Sequence, residues 1–113
     1  MTNLQQIRGE LLKGFYLRNL DALARLCNKT ATDSARPLPF FVMQCIFLRV
    51  AADWRERPMT PEEASQWKQW LGKPLEDVIA GLENGAPENE MYDILNKLVS
   101  AYSVAETFSS RFR

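Results

Sequence analysis

The side chains of this chain whose type and spacing could suggest chemistry are its carboxylates and two cysteines, and its 113 residues include no histidine. Histidine is the commonest general base near neutral pH and the commonest metal ligand. A di-iron helical bundle is also excluded, since it requires Glu-x-x-His motifs. Paired carboxylates can hydrolyse glycosidic bonds, and the candidates for such a pair are Glu62, Glu63, Glu76, Asp77, Glu88, Glu90 and Asp93.

The adjacent pair Glu62 and Glu63 has a structural explanation. Thr60 precedes Pro61, a residue favoured at the first helical position, and Glu63 follows Thr60 by three residues, which is capping-box spacing. Carboxylates near a helix N-terminus are also stabilised by the helix dipole. We therefore expect no catalytic residue, no metal site and no cofactor, and we predict that the protein is not an enzyme.

The two cysteines are predicted to be small buried hydrophobic residues. Cys27 and Cys45 each lie in a predicted helix among apolar neighbours, and neither belongs to a CxxC pair or to a set with zinc-ligand spacing. Free cysteine behaves as a compact apolar side chain when it is buried. We therefore expect neither a disulfide nor a metal-ligand pair.

Residues 40–54 are the most apolar part of the chain. Only Gln44, Arg49 and Asp53 interrupt fifteen otherwise apolar positions, FFVMQCIFLRVAADW. A helix that is apolar around its whole circumference is expected to be buried on nearly every side. Arg49 and Asp53 are four residues apart and are predicted to form an ion pair. The other helices should wrap this central one.

The N-terminal sequence predicts one long helix before this segment. The helix should run from Thr2 or Asn3 to Asn28, weakened by Gly9 and Gly14, with one apolar stripe made of Leu12, Tyr16, Leu20, Leu23 and Cys27. Residues 29–39 are predicted to form the longest loop. The central helix should then begin at Pro39 and end before Pro58.

The C-terminal half predicts three more helical segments. The first should begin after Thr60 and stop at Gly72, and the second should restart at Pro74 and end at Asn84-Gly85. From Pro87 a long amphipathic helix carries an apolar stripe made of Met91, Ile94, Leu95, Leu98, Ala101, Tyr102, Ala105, Phe108 and Phe112. No segment has the alternation of a strand. The sequence predicts a single all-α domain, residues 1–113, as a compact bundle of four to five helices around a central apolar helix at residues 40–57.

Residues 60–102 resemble the lambda-repressor-like helix-turn-helix family. The shared pattern is a Thr-x-Glu-Glu opening, a Leu-Gly turn, a helix ending Glu-Asn-Gly and a helix beginning Ile-Leu, carried by Thr60, Glu62, Glu63, Leu71, Gly72, Glu83, Asn84, Gly85, Ile94 and Leu95. The resemblance implies a divergent DNA-binding regulator. However, the would-be recognition helix has Lys73 as its only cation, and DNA phosphates would repel its acidic side chains Glu76, Asp77 and Glu83. We therefore expect no nucleic-acid binding.

The aromatic residues of the C-terminal half predict an interaction surface. The apolar stripe of the last helix continues through Phe108 toward the end of the sequence, beyond what a compact bundle would cover. Tryptophan is also enriched at protein interfaces. We expect the chain to bind a protein partner or to form a homodimer through Trp67, Trp70, Tyr102, Phe108 and Phe112.

The composition is that of an ordinary globular protein without a strong electrostatic partner preference. Fourteen basic and fourteen acidic residues give a net charge of zero, and the hydrophobic fraction of 46% excludes a disordered chain. With neither a signal peptide nor a bilayer-length apolar run, a cytoplasmic protein outside the membrane is expected. The sequence favours a non-enzymatic protein-interaction or regulatory module; the alternatives are a divergent helix-turn-helix regulator and a small-ligand-binding helical bundle.

Overall fold

The computed structural model of the protein describes residues 2–55 and 57–110, and these residues form five α-helices and no strand. The predicted all-α class is confirmed. A search of the described helices for one that combines bilayer-spanning length with sufficient apolar character finds none. The helices are α1 Asn3–Lys13, α2 Leu17–Asp33, α3 Leu38–Asp53, α4 Pro61–Glu83 and α5 Glu88–Ser110.

The contacts within the chain define two compact units. The N-terminal unit comprises residues 1–65, and the C-terminal unit comprises residues 66–113. In the N-terminal unit α2 packs along both α1 and α3. The expectation of one domain over residues 1–113 stays a prediction, and each unit is described by itself.

The predicted first helix is two helices, because the chain breaks at Gly14. This residue has a φ of 113°, which only glycine adopts readily. The break shifts the helical phase, so Ile7 and Phe15 are buried while Leu12 is 70% exposed and Tyr16 is also exposed. The predicted stripe is therefore wrong at Leu12 and Tyr16, whereas Leu20, Leu23 and Cys27 are fully buried as expected.

The predicted loop at residues 29–39 is shorter, because α2 continues to Asp33. The hydroxyl groups of Thr30 and Thr32 donate hydrogen bonds to the carbonyl oxygens of Leu26 and Asn28, at 2.6 and 3.0 Å. These residues thus satisfy their polar groups inside the helix instead of ending it. Pro39 lies in the first turn of α3, as predicted.

The central helix is shorter and less buried than predicted. It ends at Asp53 rather than near residue 57, with Trp54 at its C-cap. Phe40, Met43, Phe47 and Val50 are buried on one side. The opposite side is open to solvent, with Leu38, Phe41 and Leu48 exposed by 48%, 44% and 43%. The expectation of burial on nearly every side is therefore wrong.

The start of α4 has the predicted capping box, reinforced from outside the helix. Glu63 N–H donates to Thr60 Oγ1 at 3.2 Å, and Thr60 N–H donates to Glu63 Oε1 at 2.9 Å. Both Arg57 Nη atoms donate to the Glu63 carboxylate, at 2.9 and 2.8 Å. The Arg57 guanidinium also lies 4.7 Å from the centre of the Trp54 ring. One arginine thus ties the end of α3 to the start of α4.

The expected stop at Gly72 and restart at Pro74 do not occur, because α4 is continuous through both residues. Pro74 lacks the amide hydrogen that would bond the carbonyl of Trp70, at a cost of about 3 kcal/mol in a helix interior. Burial of Leu71, Leu75 and other apolar residues on both sides of the interruption offsets that cost. The Leu71-Gly72 turn required by the helix-turn-helix resemblance is therefore missing.

The helix α4 ends at the predicted Asn84-Gly85. Gly85 has a φ of 66°, its N–H donates to the Leu82 carbonyl, and Ala86 N–H donates to the Gly81 carbonyl. This pair of hydrogen bonds is a Schellman motif. At Gly81 an added Cβ would lie 3.1 Å from Ile94 Cδ1, so the glycine allows close packing between α4 and α5.

Two phenylalanines on opposite sides of α3 form a matched pair for testing this description. Phe47→Ala should lower the free energy of unfolding by about 3 to 5 kcal/mol, because it leaves a cavity at a fully buried position. Phe41→Ala should cost below about 1.5 kcal/mol, because much of that side chain is already hydrated. Urea unfolding followed by circular dichroism measures both. Equal losses would contradict the assignment of faces.

The cap of α4 predicts a pH dependence. The hydrogen bonds from Arg57, with a smaller contribution from Thr60, lower the pKa of Glu63 from 4.5 to about 2. A lowered pKa stabilises the folded state above pH 4.5, and this contribution is lost as the pH falls toward 2. The free energy of unfolding of Glu63→Gln should therefore change less with pH across this window than that of wild type. Arg57→Gln should weaken the same dependence, because it removes the hydrogen bonds that lower the pKa of Glu63.

Candidate interaction surfaces

Four of the five predicted interaction residues form one aromatic cluster in the C-terminal unit. The rings of Trp67 and Trp70 meet edge to face with centroids 5.7 Å apart, and Tyr102 lies 6.3 Å from Trp67. Phe108 stacks on Trp70 at 6.4 Å. Periodicity along α4 and α5 thus identified side chains that are close in space. Phe112 lies outside the described residues.

The aromatic cluster runs from the interior to the surface. Trp67 is only 1% exposed, so it lies at the interior end of the cluster. Trp70 and Tyr102 are half-buried, and Phe108 is 45% exposed. The part of the cluster available to a partner therefore includes its Trp70–Phe108 edge. A role for these residues in binding stays a prediction.

A second apolar surface, which the sequence analysis did not identify, lies on α3. Its members are spaced by three, four, three and four residues along the helix, and all are exposed. This spacing places them on one side of the helix in a nearly straight row. We name this surface the α3 stripe; it consists of Leu38, Phe41, Cys45, Leu48 and Ala52.

Arg49 lies beside the α3 stripe and confirms the predicted ion pair. Its Nε atom is 3.9 Å from Asp53 Oδ1, and its side chain is 67% exposed while that of Asp53 is 18% exposed. Arg49 and Asp53 are the charged residues of α3. The stripe is thus bordered by a single well-exposed cation, and such an exposed pair contributes at most about 1 kcal/mol to stability.

The two cysteines differ in their environments. Cys27 is fully buried, and burial raises the pKa of its thiol to about 12, so it stays protonated and unreactive at neutral pH. Cys45 is exposed in the middle of the α3 stripe, so the prediction that it is buried is wrong. Neither thiol is part of a disulfide in the structure.

Six of the seven candidate carboxylates lie at helix starts or in ion pairs. Glu62 and Glu63 lie in the first turn of α4, and Glu88 and Glu90 lie in that of α5. Along the helices Asp77 pairs with Lys73, and Asp93 Oδ2 lies 3.3 Å from Lys97 Nζ. Over the described residues, no three Cys, Asp or Glu side chains come together as a metal site would require.

An open groove between α1 and α2 bears on the alternative of ligand binding. It has a volume of about 590 Å³ and carries Glu10, Lys13, Arg25 and Lys29 on its walls. Glu10 already accepts hydrogen bonds from Lys13 Nζ at 2.9 Å and Asn19 Nδ2 at 3.0 Å, and these lower its pKa. The groove is open to solvent and has charged side chains on its walls, whereas small-molecule sites are typically enclosed.

Comparisons with protein families, with characterised proteins and with solved structures found no match to the chain.

Thiol labelling tests the difference between the cysteines. At low micromolar protein concentration and neutral pH, a maleimide should attach to Cys45 and leave Cys27 unmodified, because only Cys45 is accessible. Intact-protein mass spectrometry should show one label in buffer and two in urea. Two labels in buffer, or none, would contradict the burial described for these thiols.

Proposed function

We propose that this chain is a non-enzymatic protein-interaction or regulatory module that binds through the α3 stripe. The observation that carries the proposal is the exposure of three large apolar side chains at helical spacing, Leu38, Phe41 and Leu48. Scattered exposed apolar residues are normal in soluble proteins, but a continuous apolar row on one helix is typical of a docking surface. Covering it would remove apolar area from water at roughly 25 cal/mol per Å².

The form of the surface favours a helical partner. A row of apolar side chains spaced by three and four residues matches the way amphipathic helices are recognised. The aromatic edge at Trp70 and Phe108 provides a second apolar surface, and we retain it as an additional contact area. Two free cysteines are compatible with a reducing compartment, which supports the proposal of a cytoplasmic location.

DNA binding is less well supported than protein binding. The α3 stripe is apolar and has one adjacent cation, Arg49, whereas a duplex-binding surface needs several Lys or Arg side chains to meet phosphates. The helix α4 has no turn at Gly72 and carries Glu76, Asp77 and Glu83 in its second half. These features support a protein rather than a nucleic acid as the partner.

Two leucine substitutions test the proposed function. Immobilised wild type, Leu48→Glu and Leu12→Glu are incubated with an extract of cells that naturally express the protein, and retained proteins are compared by mass spectrometry. Leu48→Glu should lose the specific partners, since a charge within the α3 stripe would be desolvated by binding. Leu12→Glu changes an equally apolar and even more exposed side chain outside the stripe, and it should retain them.

Equal retention by all three proteins would remove the α3 stripe from the binding surface. Circular dichroism should give the same helical signal for each protein, because both substituted positions are exposed. A Leu48→Glu variant with reduced helicity would call for Cys45→Asp as a second probe of the same surface. That variant should also lose the partners while keeping its fold.

A further inference from the structure

We infer that the open groove between α1 and α2 is a docking site for an acidic amphipathic helix of a partner protein. This site goes beyond the proposed function, because the described residues on its walls belong to α1 and α2 rather than to α3. It adds a second binding surface and the chemistry of the segment that occupies it.

Two cations on the α2 wall of the groove are available to an occupant. Arg25 and Lys29 are exposed, and no carboxylate among the described residues pairs with either of them. Their four-residue spacing places them on the same face of α2, about 6 Å apart along the helix axis. Asp21, one turn before Arg25, is already engaged, because its Oδ1 atom lies 3.7 Å from Arg55 Nη2.

The other two charges on the walls compensate each other. Lys13 Nζ donates to Glu10 Oε1 at 2.9 Å, and Asn19 Nδ2 donates to Glu10 Oε2 at 3.0 Å. The hydrogen bond from Lys13, followed by that from Asn19, lowers the pKa of Glu10, so this carboxylate is ionised and paired at neutral pH. Arg25 and Lys29 therefore give the groove its positive charge, which favours a negatively charged occupant.

Apolar and absent side chains lie beside these cations. Ala22 and Leu26 line the groove from α2, and both are only half-buried. Gly9 lines it from α1, and a Cβ added there would meet no atom within 4 Å. Packing within the chain thus does not require glycine at this position, although glycine weakens a helix interior. The missing side chain leaves space for the close approach of another backbone.

The shape of the groove favours a helix over a small molecule. The groove has a volume of about 590 Å³ and is open to solvent, whereas small-molecule sites enclose most of their ligand. Its walls are two helices packed along each other. An amphipathic helix that lies in this groove places apolar side chains against Ala22 and Leu26. Acidic side chains one turn apart on that helix then reach Arg25 and Lys29.

The charges fit a protein segment better than a nucleic acid. Nucleic-acid binding needs several cations along a row of phosphates, and the ionised Glu10 on the opposite wall would repel that row. A peptide can place its carboxylates at Arg25 and Lys29 and uncharged side chains near Glu10. The uncharged amides of Gln5 and Gln6, which also line the groove, can donate to and accept from such a segment.

Selection from a displayed library of random peptides tests the chemistry of the occupant. Immobilised wild type is compared with a variant that carries both Arg25→Glu and Lys29→Glu. Peptides enriched on wild type alone should contain two acidic residues spaced by three or four positions, with apolar residues beside them. Enrichment without acidic residues, equal enrichment on the variant, or no enrichment at all overturns the inference.

Fluorescence anisotropy of a selected peptide measures the contribution of charge. The double change Arg25→Glu and Lys29→Glu should raise the dissociation constant at least about tenfold, and a peptide with lysine in place of its acidic residues should recover binding to this variant. Lys68→Glu, the same change at an exposed position of α4, is the control and should leave the constant unchanged. If charge reversal lowers the helical circular-dichroism signal, Arg25→Gln with Lys29→Gln replaces it and should also weaken binding.

Gly9→Gln separates a docking site from an unoccupied surface depression. The new side chain takes up space in the groove and should weaken peptide binding at least about fivefold. The same variant should raise the melting temperature by roughly 2 to 5 °C, because glutamine favours a helix interior more than glycine does. A more stable variant that binds the peptide as tightly as wild type would place the peptide elsewhere and overturn the inference.

Two further measurements separate this inference from its alternatives. Leu48→Glu changes the α3 stripe alone and should bind the peptide as tightly as wild type. Loss of the peptide in this variant would place it on the α3 stripe, which supports the proposed function and overturns this inference. Duplex DNA of random sequence should not compete with the peptide at physiological ionic strength. Competition by DNA would identify a nucleic acid as the occupant and overturn the inference as well.

Discussion

The structure of the N-terminal unit depends on a helix that has more apolar surface than its neighbours can cover. A helix that is apolar on all sides needs neighbours on all sides, whereas α2 packs along one side of α3. Phe40, Met43, Phe47 and Val50 are buried, while the opposite side is exposed. Hydrophobic burial therefore forms the core and leaves the α3 stripe as a surface feature.

Local signals predicted the elements that depend on neighbouring residues. The capping box of Thr60 and Glu63 and the Schellman turn at Gly85 require only a few adjacent positions, so their residue types were sufficient evidence. The predicted stop at Gly72 and Pro74 was wrong for the converse reason. Packing of apolar side chains on both sides of these residues outweighs their weak helical preference, and packing cannot be inferred from local sequence.

The candidate surfaces were likewise predictable where they depend on local sequence and not where they depend on packing. Helical periodicity brought Trp67, Trp70, Tyr102 and Phe108 together correctly, because periodicity reports which residues share a face. It does not report whether that face is covered. On α3 two opposite faces are apolar, so composition could not distinguish the buried Phe47 from the exposed Phe41, nor the environment of Cys27 from that of Cys45. Exposure depends on which helix packs where.

The backbone conformation at Gly14 excludes other residues by their chirality rather than by the size of their side chains. With φ of 113° and ψ of −177°, the residue has the mirror image of an ordinary extended conformation. An L-amino acid is strained in this conformation however small its side chain. Even alanine, which adds a single methyl group, is therefore disfavoured. Among the genetically encoded residues, glycine alone is achiral at Cα. The direction in which α2 leaves α1 depends on this property of Gly14.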